Sequence, residues 1–318
     1  MKRLRLAAVA IAVVALPLSG CASKPKPGAA RVTQAAGSFP VTVTADNGTV
    51  ALSGRPTRIV SMSATATQML YAIGAGSQVV AVDKYSTDPS SAPTTNLTGS
   101  EASAESYMTF RPDLVVLAFD TDHKLVAQLG LLHVPALLLA PAKSLEDTYR
   151  QFEELGQATG RVAAATQEVA SIRQQLDSIV GSVGNRAKGL TYYQEIDNTL
   201  YTATSKTFIG ALYARLGMVN VADPADKLGS GYPQLSPEYL IKADPDVVFL
   251  ADSVCCAQTA ATFGARPGYS VMKAVRHGHV FPIADPIASE WGPRVVDFLR
   301  TVADDVTHVT SSPSASPS

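Results

Sequence analysis

Between Val162 and Val183, apolar residues recur at Val162, Ala165, Val169, Ile172, Leu176, Ile179 and Val183. Steps of three and four put all seven on one stripe of a helix. Gln167, Glu168, Arg173, Gln174, Gln175, Asp177 and Ser178 fill the other faces. Uninterrupted, the stretch is expected to form one rod of roughly 33 Å at about 1.5 Å per residue. A copy of one pattern lies on each side of it. Glu105 stands seven residues ahead of Pro112-Asp113, which opens the apolar run Leu114 to Leu117; Glu238 stands seven ahead of Pro245-Asp246, which opens Val247 to Leu250. The chain therefore reads as two similar lobes joined by one rigid strut.

Short apolar runs alternate with amphipathic segments in both lobes, the pattern of a parallel sheet covered on both faces. In the first lobe, residues 56–160, strands are expected at Arg58–Met62, Val79–Val82, Leu114–Leu117 and Ala136–Leu139. Helices are expected over Thr65–Ile73 and Asp122–Leu131, with a third opened at Ser144 by a capping-box variant that has Asp147 in place of Glu or Gln. In the second lobe, residues 186–310, strands are expected at Leu190–Tyr193, Thr199–Thr202, Val247–Leu250 and His279–Phe281. Ser205 is expected to cap a helix carrying Phe208, Leu212 and Leu216, and a last helix covers Arg294–Val306. Residues 161–185 form the connecting helix. Residues 22–55 read as a flexible tether followed by a hairpin, Val41–Thr44 with Thr49–Leu52, turning on Asn47-Gly48. Residues 311–318, rich in Ser and Pro, read as a disordered tail.

The 318 residues suffice for two domains, and a net charge of −1 with 17% charged residues leaves no electrostatic footprint for nucleic acid. Residues 1–21 have the build of a signal peptide: basic Lys2, Arg3 and Arg5, then an apolar stretch from Leu6 to Leu18 too short for a committed membrane span. Leu18-Ser-Gly-Cys21 resembles the bacterial lipobox. That implies a lipidated Cys21 and an exported protein anchored to the outer face of the cytoplasmic membrane; the alternative is an ordinary secretory signal with an incidental Cys. With Cys21 carrying lipid, Cys255 and Cys256 remain. Adjacent Cα atoms lie about 3.8 Å apart, below the usual range of roughly 4.4–6.8 Å for a bridge. A strained vicinal disulfide, free thiols and an intermolecular bridge are all open.

Arg58-Ile-Val-Ser-Met-Ser63, the Glu105 and Glu238 blocks, Phe208-Ile-Gly-Ala-Leu212 leading into Gly217-Met-Val-Asn-Val221, and Gly292-Pro-Arg294 occur in this order over about Pro56 to Val309. Together they resemble the substrate-binding proteins of ABC importers for ferric siderophores, cobalamin and haem. The resemblance implies an α/β fold of two Rossmann-like lobes joined by one long helix, the helical-backbone periplasmic-binding-protein fold, with a ligand cleft between the lobes. It implies a monomer that performs no chemistry, holds no cofactor, and docks on an ABC permease dimer with its ATPase. The guest would be a ferric siderophore or related metal chelate; cobalamin or haem is the alternative. The resemblance also gives Glu105 and Glu238 the role of salt-bridging permease arginines. Taken alone, each Glu could instead simply complement the dipole of its helix's first turn.

In open α/β sheets, ligands sit beyond the carboxyl ends of the strands. That rule points to Ser61–Thr65, Asp83–Ser86, Phe119–Asp122, Glu195–Asp197, Thr202–Ser205, Asp252–Cys256 and the 286–294 loop. From these stretches and their borders come the candidate ligand-binding residues Ser63, Tyr85, Phe119, Tyr201, Trp291 and Arg294. Aromatic faces suit a planar macrocycle or catecholate, and Arg matches anionic groups bidentately. Trp291, the sole Trp, lies between Pro286 and Pro293 on what reads as a loop. Competing assignments are a rim residue packed on the last helix for Trp291, a cap through Asp297 for Arg294, and core filling for Tyr85 and Phe119. An exported α/β enzyme would need a nucleophile–base pair or metal cluster, and neither a Gly-x-Ser-x-Gly elbow nor a phosphate loop occurs. A metal-ion receptor would draw on His123 and Glu195, and His277-Gly-His279 has ligand-like spacing without a third ligand nearby. A purely structural envelope protein gives no reason for matched glutamates.

Overall fold

A computed structural model describes residues 37–99 and 103–311. The expected signal peptide, Cys21, most of the tether and the tail from residue 312 lie outside the described residues. Val41–Ala45 (β1) and Gly48–Leu52 (β2) pair antiparallel with Ala45 opposite Gly48. Gly48 alone at the turn enters the left-handed region, with φ +94°, so the turn centres on Asp46-Asn47 and Gly48 closes it. Asn47 then caps an exposed sheet edge: its Nδ2 donates to Ala136 O at 2.9 Å and its Oδ1 accepts from Leu138 N at 3.0 Å.

The first sheet contains Ile59–Met62 (β3), Val79–Val82 (β4), Leu114–Leu117 (β5) and Ala136–Leu138 (β6). All pairs are parallel, in the order β4-β3-β5-β6. Every residue of these strands except Val80 is buried, which is why they read as continuous apolar runs. Helices Ala64–Ala72 (α1), Ala104–Met108 (α2), Lys124–Leu131 (α3) and Leu145–Thr159 (α4) belong to this lobe. The capping box at α4 forms as expected: Ser144 Oγ accepts from Asp147 N at 3.2 Å, and Asp147 Oδ2 accepts from Ser144 N at 3.0 Å.

The chain then enters Val162–Val183 (α5), one helix over the whole expected stretch. Six of the seven stripe residues are buried, and Val162 in the first turn is half-buried. The second sheet follows: Thr191–Glu195 (β7), Val219–Asn220 (β8), Val247–Leu250 (β9) and Val280–Pro282 (β10), parallel in the order β10-β9-β7-β8. Its helices are Phe208–Arg215 (α6), Pro237–Ala243 (α7), Ala260–Gly264 (α8), Lys273–Arg276 (α9), Asp285–Ser289 (α10) and Val295–Ser311 (α11). α5 packs against α4 of the first lobe and α11 of the second. One apolar cluster runs from Val43 of the hairpin through Leu176 of α5 to Phe298 of α11.

The repeated Pro-Asp does the same work in both lobes. Asp113 accepts from the amides of Thr57 and Arg58, each at 2.8 Å, and so ties the start of β5 to the entrance of its neighbour β3. Asp246 accepts from Thr191 N at 2.9 Å and Thr191 Oγ1 at 2.7 Å, tying β9 to β7. Four expectations change. Thr199–Thr202 makes only isolated bridges, because Leu200 at φ +71° breaks the extended run; the remaining strand of that sheet is the two-residue β8. Thr207 caps α6, its Oγ1 accepting from Gly210 N at 3.0 Å, while Ser205 Oγ donates to Asp223 at 2.7 Å. Residues 285–289, partly within the expected loop, are helical, with Pro286 in the first turn. The last helix continues past Val306 to Ser311.

Candidate functional site

The carboxyl ends of both sheets face a cleft. At the end of β3, Ser63 caps α1, accepting from Ala66 N at 3.1 Å. After β4, Asp83 Oδ1 accepts from Tyr85 N (3.1 Å), Ser86 N (2.8 Å) and Ser86 Oγ (2.8 Å). That tight turn throws the Tyr85 ring outward, 63% exposed, and Phe119 beyond β5 is 61% exposed; neither fills the core. Ser63, Tyr85 and Phe119 line a cavity of about 510 Å³, closed from the other lobe by Asp285, Glu290 and Trp291. A second cavity of about 380 Å³ is lined by Gln194, Phe208, Tyr232, Cys255 and Ala288. Both cavities share Asp285, Ser289 and Trp291, so α10 and the residues after it separate two chambers of one cleft. A larger hollow of about 760 Å³ sits beside β2 and Pro112-Asp113. It lies at the amino ends of the first sheet, where α/β sheets do not bind ligands.

Trp291 is fixed to the opposite lobe. Its Nε1 donates to Gln151 Oε1 at 2.9 Å and its carbonyl accepts from Thr148 Oγ1 at 2.8 Å, both on α4. Next to it, Gln68 Nε2 of α1 donates to Glu290 at 2.5 Å and to Asp88 at 3.4 Å. Burial pushes the Glu290 carboxyl up to about 7, against the pull of Gln68 and Arg294. Arg294 pairs with Asp88 at 3.4 Å and Asp297 at 3.7 Å and lines neither chamber. Tyr201, half in solvent, bridges to Gln234 and also lines neither. The structure thus gathers Ser63, Tyr85, Phe119 and Trp291 at one cavity and leaves Tyr201 and Arg294 outside it. Sequence reasoning missed Tyr232, 55% exposed. Its signal, an aromatic between Gly231 and Pro233 on a loop, is the same kind that marks Trp291.

Residues 59–286 match the family model for periplasmic binding proteins. The chain belongs to the periplasmic binding protein family. It is 26% identical over 306 residues to an uncharacterized ABC transporter substrate-binding lipoprotein, YvrC, of Bacillus subtilis, covering 93% of this chain and 95% of that one. It is 28% identical over 314 residues to a cobalamin-binding protein of Halobacterium salinarum, covering 96% of this chain and 84% of that one. Among solved structures, the periplasmic heme-binding protein RhuT of Roseiflexus sp. RS-1 superposes with a TM-score of 0.69 at 22% identity, over 80% of this chain and 99% of that one. This last likeness establishes the shared two-lobed α/β architecture.

Two further features of this periplasmic binding protein lie outside the aromatic cavity. Glu105 and Glu238 each stand two residues after a Ser at a helix start, Ser103 and Ser236. Both are fully exposed, and both carboxyls are held below the usual range by their own backbone amide and then by that Ser. The local helix-end role is therefore real in both lobes, and the two environments match. On the second lobe, Cys255 and Cys256 pair as a disulfide, and Cys255 reaches the smaller chamber. Asp285, at the start of α10, holds this loop by accepting from Val254 N at 2.9 Å and Cys255 N at 2.6 Å.

Beneath the loop lies a buried acid pair. Arg266 forks onto Glu195 with two bonds of 2.6 Å and reaches Gln258 at 2.8 Å. Asp252 is fully buried, and neither of its oxygens has a well-placed donor among the described residues. Burial, then the neighbouring Glu195, pushes the Asp252 carboxyl up to about 7, where the protonated form donates to Glu195. Of the suggested metal ligands, Glu195 is thus occupied by Arg266, and His123 stands elsewhere, at the start of α3 with no side-chain capping bond. Among the described residues no three His, Cys, Asp or Glu side chains are grouped to hold a metal ion.

Proposed function

We propose that the chain is the extracytoplasmic solute receptor of an ABC importer, capturing a ferric siderophore or related metal chelate between its lobes and docking on the permease. In this reading it is a monomer, tethered to the outer face of the membrane through lipid on Cys21, and it catalyses no reaction. The observation that carries the proposal is the two-chambered cleft in which Tyr85, Phe119 and Tyr232 stand largely exposed around Trp291. Large aromatics left in solvent on facing walls suit a flat or ring-shaped organic guest. Family membership and the kinship to a substrate-binding lipoprotein support the transport role. Kinship to a cobalamin-binding protein keeps a corrinoid guest as the second reading.

Docking would use Glu105 and Glu238, exposed, alike in setting and one to each lobe. Such a pair can report lobe separation to a two-fold partner. The direct test uses the sole Trp as reporter: Trp291 fluorescence of the purified mature protein is titrated with ferric siderophores, cobalamin and haem. One class is expected to quench it saturably. No quenching and no calorimetric heat from any of the three would refute the receptor reading.

A further inference from the structure

We infer that the cleft sorts guests by charge: it admits an uncharged or cationic chelate whose rim carries amide N–H groups, and it turns away polyanionic chelates. This rests on the receptor reading above and narrows it. The chamber walls carry three carboxylates, Asp83, Asp285 and Glu290, and among the described residues no Lys, Arg or His lines either chamber. The carboxylates are not themselves the site. The aromatic cavity is, and they set its charge.

Among the described residues, none of the three is paired with a cation in the walls. Asp83 Oδ1 is held by two amides and the Ser86 hydroxyl. Asp285 is held by the amides of Val254 and Cys255. Glu290 receives Gln68, and because burial pushes its carboxyl up to about 7 it adds its full charge only above that pH. Two basic groups stand nearby. Arg294 pulls on Glu290 but also pairs with Asp88 and Asp297, and those two acids offset its charge. Lys84 is at the rim, its Nζ 4.9 Å from the centre of the Tyr85 ring. One rim lysine faces three wall carboxylates.

A haem would bring two carboxylates into this cleft, and a ferric tris-catecholate three negative charges. Neither would find a guanidinium or ammonium in the walls to offset desolvation, and like charges across an interface disfavour the wrong partner. Carboxylates accept hydrogen bonds and, while ionised, donate none. The primary amides around a corrin and the secondary amides of a linear trihydroxamate supply the N–H donors they lack. Both guests share that chemistry with little or no negative charge.

The test is calorimetric titration of the full mature chain with four probes: cyanocobalamin, the ferric complex of a linear trihydroxamate bearing a free amine, haem, and a ferric tris-catecholate. One of the first two is expected to bind about 100-fold or more tighter than either anionic probe, as several kcal/mol of like-charge cost implies. Which of the two binds separates a corrinoid guest from a hydroxamate. Glu290→Gln keeps an acceptor for Gln68 and, in titrations at pH 8 where the raised Glu290 carboxyl is mostly ionised, should improve anionic binding by about tenfold, the effect of roughly 1.4 kcal/mol. If an anionic probe binds as tightly as the better uncharged or cationic one, the charge rule fails while the receptor reading stands. If none of the four binds, both fail.

Discussion

Replacing Asp252 by Asn should stabilise the protein strongly at pH 8 and much less at pH 5. The side chain is fully buried, and its carboxyl is raised from 3.8 to about 7 by burial and by Glu195. A folded-state value above the unfolded one means that, between about pH 4 and 7, the folded chain keeps a proton the unfolded chain has lost. Stability therefore falls as pH rises through that window and levels off above it. At about 1.4 kcal/mol per pH unit, this group costs about 4 kcal/mol at pH 8 and less than about 2 at pH 5. Asn mimics the protonated acid at every pH, since its Nδ2 can donate to Glu195. The backbone carbonyl of residue 252, which accepts from Cys256 N and Gln258 N, is untouched. Urea unfolding at the two pH values should therefore show a gain about 2.5 kcal/mol larger at pH 8, with unchanged m. Equal effects at both pH values, or a loss at pH 8, would mean that Asp252 is ionised in the folded chain and would refute the shared-proton account.

Two other outcomes are expected. Glu105→Arg combined with Glu238→Arg should abolish transport into cells while shifting the guest's Kd by less than about twofold, because both groups are fully exposed and away from the chambers; undiminished uptake would remove the docking role. Mass spectrometry of unreduced, alkylated protein should find Cys255 and Cys256 unlabelled and lighter by two hydrogens, and two alkylated thiols would rule out the vicinal bridge.

Features governed by local chemistry could be read from the chain alone. The α5 stripe, the apolar parallel strands and the Ser144 box depend on periodicity or on neighbours a few residues away, and these formed, whereas the Thr199–Thr202 run did not. Elements decided by distant partners could not. Ser205 and Thr207 look equally able to cap the helix at Phe208, but Asp223 claims Ser205 and leaves Thr207 to cap. β8 is two residues long and exists because it adds to β7, so no periodicity could reveal it. At the cleft, Ser63, Tyr85 and Phe119 follow directly from the strand-end rule because topology dictates their location, while Trp291 is marked by its type and its flanking prolines. Arg294 was chosen for its chemistry, and its location depends on Asp88, remote in sequence. Tyr232 escaped notice because its loop does not directly follow a strand of either sheet.

How far the lobes can move follows from how they are joined. α5 is one connection, a continuous helix buried along one face between α4 and α11. The other is polar: residues 290–294 belong to the second lobe's sequence but bond to the first lobe through Gln68–Glu290, Asp88–Arg294, Gln151–Trp291 and Thr148–Trp291. A wide rotation about α5 would pull these apart together. Glu290, already pushed up by burial, would lose Gln68, and Trp291 would leave its indole N–H without Gln151. Each broken hydrogen bond forfeits about 1 kcal/mol, and a polar group left buried without a partner costs about 1–3. Small adjustments that carry residues 285–294 along with the first lobe avoid that loss. They are the motions available to a guest seated against Trp291, and closure in this protein is accordingly expected to be a modest change at the joint.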